Sequence, residues 1–183
     1  FTVNNNTSNG TITAEISDSE VAEVSVSNNN TITITPKAIN TTKTATITVK
    51  SGATENYEEQ TATYALTVQQ GTISVQATEY SGTYDNAAHG ITVTTDPANA
   101  NITYSTDGEN YSTTNPTYTN AQTYTTYYKV ELTGYKTVSG SKTVTIGKAN
   151  NTLGLSQTSG TITYPNQGTF TVNNNTSNGT ISA

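Results

Sequence analysis

Along residues 1–69 apolar and polar side chains alternate with the two-residue period of strands that bury one face. Phe1 and Val3 make a short apolar face, and Ile12, Ala14 and Ile16 make the next. Ala22, Val24 and Val26, then Ile32 and Ile34, then Ala45, Ile47 and Val49 follow. Ala62, Tyr64, Leu66 and Val68 close the set. The intervals are Asn4–Gly10, Ser17–Glu20, Ser27–Asn30, Ala38–Thr42 and Ser51–Gln60, mostly rich in Asn, Asp, Ser and Gly. Such residues turn a chain by bonding their own backbone or by accepting positive φ. Six short strands with turns between them predict a β-sandwich. Pro36 lacks an N–H and fits a strand end or an edge.

Gln69, Gln70 and Gly71 form a very short joint, after which a second set begins, giving a second sandwich over residues 70–148. Its faces are Ile73, Val75 and Ala77, then Ile91 and Val93, then Ile102 and Tyr104. The strongest strand carries Tyr124, Thr126, Tyr128, Val130 and Leu132, and Val144 and Ile146 end the set. Gly134, Gly140, Asp96-Pro97 and Asp107-Gly108 read as punctuation, the last as a hairpin signal.

From about Ala149 the pattern changes again. Leu153, Leu155, Ile162 and Tyr164 lead through Pro165-Asn166-Gln167-Gly168 into FTVNNNTSNGTISA, residues 170–183. That stretch repeats residues 1–14 with one change, Thr13 to Ser182. The offset from Phe1 to Phe170 is 169 residues, which predicts a tandem array of that period. Residues 1–69 are then a sandwich lacking its first strand or strands. Residues 149–183 are the first strands of the next repeat, and Phe170 shows where Phe1 belongs.

Composition narrows the choice between thin-cored β-domains and disorder. Only 31% of the chain is hydrophobic, but 43 Thr and 12 Tyr favour strands, and charged residues are only 11%. Leu occurs four times, Met and Arg never, and no helical apolar stripe is present. The expected class is therefore all-β, tandem β-sandwiches with almost no helix; that they are immunoglobulin-like is what the resemblances below imply. The net charge of −6 argues against nucleic acid and anionic membranes. No apolar run approaches the length of a spanning helix. The absence of Cys excludes disulfides and thiolate metal sites.

Chemistry is sparse. His89 is the only His and stands in a turn-like Asn-Ala-Ala-His-Gly setting, so neither a serine-based triad nor a transition-metal site is expected. Glu55, Glu58 and Glu59 offer oxygen ligands of the kind calcium takes but lack the spacing of a calcium loop, and a solvated hairpin tip is the alternative. Asp96, Asp107 and Glu109 read as turn residues. Lys129, Lys136, Lys142 and Lys148 stand among Asn and Glu residues with no motif for a Lys–Asn cross-link; a mass about one ammonia short would reveal one. Sequons such as Asn9-Gly10-Thr11 and Asn40-Thr41-Thr42 are read as turns. Neither catalytic nor metal-binding residues nor any cofactor are expected. Tyr124 and Tyr128 belong to a core face, whereas Tyr127 points away and Tyr111, Tyr118 and Tyr135 lie in or near loops. Tyr111, Tyr118 and Tyr127 are the candidate ligand contacts, since Tyr combines an apolar face with a polar tip.

Residues 149–183 read on into 15–69 resemble bacterial immunoglobulin-like domains of the group 2 type. The landmarks are Leu155-Ser156, Gly168-Thr169-Phe170, Ser17-Asp18-Ser19-Glu20-Val21-Ala22-Glu23-Val24 and Thr44-Ala45-Thr46-Ile47-Thr48-Val49. Lys43 stands where that family usually has Gly, and its common Trp before the Ser-Asp motif is missing. Residues 71–148 resemble a second bacterial surface Ig-like module through Tyr84–Ile91, Ile102–Ser105 and Tyr124–Val130. Asn120–Tyr124 is similar to the tyrosine-corner sequence of Ig sandwiches, which implies a buried Tyr124 ring with its hydroxyl on nearby backbone. Both resemblances imply a stalk, adhesin or wall-associated module rather than an enzyme. The expectation is a structural repeat of a secreted, cell-surface or extracellular fibre protein, contacting neighbouring repeats of its own chain or filament. One alternative is an adhesin or carbohydrate-binding module facing a host or matrix glycan or protein, which binding to a glycan array would separate. Another is a subunit that self-assembles by strand complementation, which polymers forming with concentration would reveal.

Overall fold

The computed structural model describes residues 1–28 and 30–182. Parts of the Ser27–Asn30 turn and the last residue of the duplicate, Ala183, lie outside them. Among the described residues there are strands and no helix, as the alternation of Thr with Ile and Val requires.

The first unit holds β1 (Ile12–Ile16), β2 (Ala22–Val26), β3 (Ile32–Pro36), β4 (Lys43–Ser51) and β5 (Gln60–Val68). One antiparallel sheet runs β1-β4-β5 and the other pairs β2 with β3. Phe1–Val3 extends the smaller sheet beside β3. Ile32 N donates to Phe1 O at 2.7 Å, and Val3 N to Asn30 O at 3.0 Å. Ile12, Ile32, Ile47 and Val49 fill the space between the sheets, with Val24 and Ile34 packed against them. A smaller cluster joins Val21, Ile39, Ala45 and Val68. Pro36 is the last residue of β3.

The face expected on β5 is only half realised. Val68 is buried and Leu66 half-buried, but Ala62 is exposed and Tyr64 is 44% exposed. Position explains this. β5 is the edge of its sheet, and among the described residues the ring stacked on Tyr64 is that of Phe1, with centroids 4.9 Å apart.

The second unit holds β6 (Ser74–Thr78), β7 (Tyr80–Thr83), β8 (Thr92–Asp96), β9 (Asn101–Ser105), β10 (Thr123–Glu131) and β11 (Val138–Gly147). Its sheets run β7-β11-β10-β9 and β6-β8. They enclose Ile73, Ile91, Val93, Val130, Val144 and Ile146. Two features depart from the sequence reading. β7 was not expected, and it pairs in parallel with β11. Gly140 does not punctuate the chain but lies inside β11 opposite Tyr128, where a methyl group would come within 2.5 Å of the Tyr128 hydroxyl. The cross-strand tyrosine fills the space a side chain would need.

The third piece is β12 (Leu153–Leu155) paired antiparallel with β13 (Val172–Asn175), with a bulge between Gly154 and Leu155. It encloses no buried cluster: Leu153 and Phe170 are each 62% exposed, and Ile162 and Tyr164 are exposed too. Every strand pair in the described residues falls within 1–69, 70–148 or 149–183.

Candidate functional site

The duplicated stretch forms the same turn twice. Asn9 and Asn178 both have φ 52°, a left-handed conformation that Asn tolerates better than most residues. Asn6 Nδ2 donates to Gly10 O at 2.8 Å, and Asn175 Nδ2 to Gly179 O at 2.9 Å. Ser8 Oγ donates to Asn6 Oδ1 at 3.1 Å, and Ser177 Oγ to Asn175 Oδ1 at 3.0 Å. Local side-chain-to-backbone bonding therefore encodes this turn without help from its surroundings. Its surroundings differ. In the first copy Ser51 Oγ donates to Asn6 Oδ1 at 2.8 Å, which ties the turn to the end of β4. In the second, Asn151 Nδ2 reaches Asn175 Oδ1 at 3.3 Å and Ser177 N reaches Asn151 Oδ1 at 2.9 Å.

The joint at Gln69–Gly71 is held by hydrogen bonds on its second-unit side. Gly71 N donates to Gly134 O at 2.9 Å, Lys136 N to Gly71 O at 3.0 Å, and Gln70 Nε2 to Tyr135 O at 3.0 Å. The Tyr135 ring lies across Gly71, where a methyl group would fall 2.6 Å from it. Gly134, at φ +85°, brings the turn after β10 against the first unit: a methyl group there would lie 3.1 Å from Ala38 Cβ. A groove of about 530 Å³ runs along this contact between Ile34, Leu66, Val68 and Tyr135. Sequence reasoning found the joint by its shortness but missed Gly134, Tyr135 and Ala38. Only Gly134 carried a signal, as a glycine between apolar segments.

The three candidate ligand tyrosines do not form one surface. Tyr118 stacks on Tyr124, centroids 4.0 Å apart, and its hydroxyl lies 3.1 Å from that of Thr126, which is fully buried. Tyr118 is thus on the core face. Tyr127 lies on the opposite face of β10, beside Gly108. Tyr111 sits beneath the Lys129 ammonium, 5.3 Å from its ring centre, and Lys129 also pairs with Glu131 at 3.2 Å. Tyr124 is half-buried, and its hydroxyl donates to Asn120 O at 3.3 Å. Phe1 and Phe170, identical in sequence setting, differ in partner: Phe1 stacks on Tyr64, whereas Phe170 lines a groove of about 510 Å³ with Leu155 and Ile162.

His89 has more partners than its sequence setting implied. Its ring stacks on Tyr80, centroids 3.9 Å apart. Nε2 lies 2.9 Å from Asp85 Oδ1 and 3.1 Å from the Tyr80 hydroxyl. The hydrogen bond from His89, with help from Ala87 N–H, holds the Asp85 carboxyl below the usual range. His89 and Tyr118 also exchange backbone hydrogen bonds. These contacts tie the 85–89 loop to β7. The i, i+4 spacing of Asp85 and His89 was the available signal.

Asp107 is the anchor of the Asp107-Gly108 turn. Its carboxylate accepts from Asn110 Nδ2, Ser105 Oγ, Asn110 N and Glu109 N, which holds it well below the ordinary carboxylate range. The predicted hairpin closes there as a single Tyr104–Ser112 bridge rather than as a second full strand. Glu59 pairs with Lys50, and among the described residues no three His, Asp or Glu side chains converge as a metal set would. Compared with known proteins, no protein-family model matches the chain and no curated protein matches it.

Proposed function

We propose that this chain is one period of an extracellular bacterial repeat protein in which immunoglobulin-like sandwiches stack into a rod or stalk. The observation that carries the reading is the duplicate of residues 1–14 at an offset of 169 residues, which adopts one turn geometry at both ends of the period. Two further features support it. The two sandwiches follow one another through three residues, with Tyr135 laid over Gly71. The landmarks shared with bacterial immunoglobulin-like domains point to surface modules of this kind. The acidic, Thr-rich surface keeps such a rod soluble and apart from its neighbours.

The mechanism is geometric. Nine-residue strands such as β4 span about 30 Å, so two sandwiches end to end add roughly 60 Å per period. Reach is then set by repeat number. Small-angle scattering on covalent chains of one, two and three periods tests this. The maximum dimension should grow in near-equal steps of about that size. A dimension that grows only as the cube root of mass, as for a globule, would overturn the proposal.

A further inference from the structure

The duplicated turn lines a different groove in each copy. In the second copy Thr176, Ser177 and Asn178 line a groove of about 610 Å³ together with Tyr84, Asn120 and Lys148. Those last three lie at the end of the second sandwich remote from Gly134. Tyr84 follows β7, Asn120 precedes β10 and Lys148 follows β11, whereas Gly134 stands between the far ends of β10 and β11. In the first copy Thr7 and Ser8 line a groove of about 270 Å³ with Tyr57, Glu58 and Gln60, at the tip between β4 and β5.

Both copies hold the same internal hydrogen bonds, so the surroundings of one can be placed around the other. The two sets of outside contacts are compatible. In the first copy Ser51 Oγ lies 2.8 Å from Asn6 Oδ1 and 3.2 Å from Ser8 Oγ. In the second, Asn151 Oδ1 accepts from Ser177 N and Thr176 Oγ1, each at 2.9 Å, and Asn151 Nδ2 donates to Asn175 Oδ1 at 3.3 Å. Only the Asn6 or Asn175 oxygen serves both sets. A carboxamide oxygen has two lone pairs, one for Ser51 and one for Asn151, and Ser8 Oγ then donates to Ser51 Oγ. One turn can therefore be held at once by its own sandwich and by the end of the sandwich before it.

We propose that the tip of each first sandwich docks on the Tyr84–Asn120–Lys148 end of the preceding period, with the duplicated turn at the centre and Lys148 of one period towards Glu58 of the next. The proposal rests on the repeat reading and names the surface by which successive periods meet. Lys148 and Glu58 are exposed, opposite in charge and, among the described residues, in no ion pair. Tyr57 and Tyr84, also exposed, add an aromatic face on each side. The array then has two kinds of joint in alternation. Within a period the joint is apolar, lined by Ile34, Leu66, Val68 and Tyr135. Between periods it is polar and charged, so salt weakens the second kind and spares the first.

The chain contains no cysteine, so a nitroxide on Asn120→Cys is the sole label. In the full chain it should broaden the NMR amide signals of Thr176–Asn178 and leave those of Thr7–Asn9, the same sequence, sharp. In a covalent two-period chain with only the second period isotope-labelled, the nitroxide in the first period should broaden Thr7–Asn9 and Tyr57–Gln60 of the second. Lys43, at the other end of β4, should stay sharp. Lys148→Glu in the first period should weaken the effect on Tyr57–Gln60 about twofold, the scale of an exposed ion pair, and Glu58→Lys in the second should restore it. Lys148 and Glu58 lie outside every core, so the sandwiches stay folded. Sharp Thr176–Asn178 or Tyr57–Gln60 signals, equal broadening at Lys43, or indifference to Lys148→Glu would each overturn the docking. The scattering series is independent: a docked tip with compact multi-period chains removes the rod but keeps the interface, and stepwise growth without docking removes the interface but keeps the rod.

Discussion

One residue pair shows how context acts on identical sequence. Gly10 and Gly179 close the same turn with the same hydrogen bonds, yet Gly10 is buried and Gly179 exposed. A methyl group at Gly10 would fall 2.1 Å from the Gly52 carbonyl oxygen, which is backbone and is fixed by the bond from Gly52 N to Thr11 O. A methyl group at Gly179 would meet only Ser177 Oγ at 3.1 Å, within its own turn. Gly10→Ala should therefore cost about 1–3 kcal/mol, the usual effect of overpacking. Gly179→Ala should stay within about 0.5 kcal/mol, as surface changes do. Urea unfolding of the full chain, followed by resolved signals of the first unit for Gly10→Ala and of the β12–β13 pair for Gly179→Ala, measures both. Equal losses would mean that the turn, and not its docking on Gly52, sets the cost.

Strands differ in how openly the sequence declares them. β1 to β4 were legible because each buries one face against a sheet that is present, so Ile and Val fall on alternate positions. β5 was legible as a strand but not in its burial, since it lies at the edge of its sheet, where Ala62 and Tyr64 are exposed. β7 was illegible: Tyr-Ser-Gly-Thr has no apolar alternation, and its parallel partner is distant in sequence, Tyr80 lying opposite Val144. Gly140 misled because a glycine normally weakens a strand, whereas here Tyr128 occupies its place. The tyrosines were legible as a set, but not the stacking that sends Tyr118 inward. Where the sheets close, they form two cores with no shared buried member. Ile47→Ala should then cost the first unit about 2–5 kcal/mol, and Ile146→Ala the second unit a similar amount, each leaving the other transition in place. Residue-resolved thermal unfolding decides this. A substitution that lowers both transitions together would show one cooperative unit.

For the whole molecule, two separate cores leave orientation to the joint. Stability of either sandwich does not fix the angle between them; the hydrogen bonds at Gly71 and the seat of Gly134 against Ala38 do. Gly71→Ala separates the two roles. Its methyl group would press on the Tyr135 ring at 2.6 Å, and the ring must swing away, taking with it the bonds from Gly71 N to Gly134 O and from Lys136 N to Gly71 O. Gly71 belongs to no core and Tyr135 packs only at the margin of the second, so the first unit's transition should stay in place and the second's should fall only slightly. The freedom of one unit against the other should rise. In the parent chain, NMR relaxation should give both sandwiches one rotational correlation time, that of a single 19.3 kDa body; in Gly71→Ala each should shorten towards that of a separate domain. Unchanged correlation times in the variant would place the stiffness elsewhere, in the apolar groove lined by Ile34, Leu66 and Val68. The rod reading needs the single correlation time of the parent chain, because a stalk of freely hinged units loses reach: its end-to-end distance grows with the square root of repeat number rather than in proportion to it.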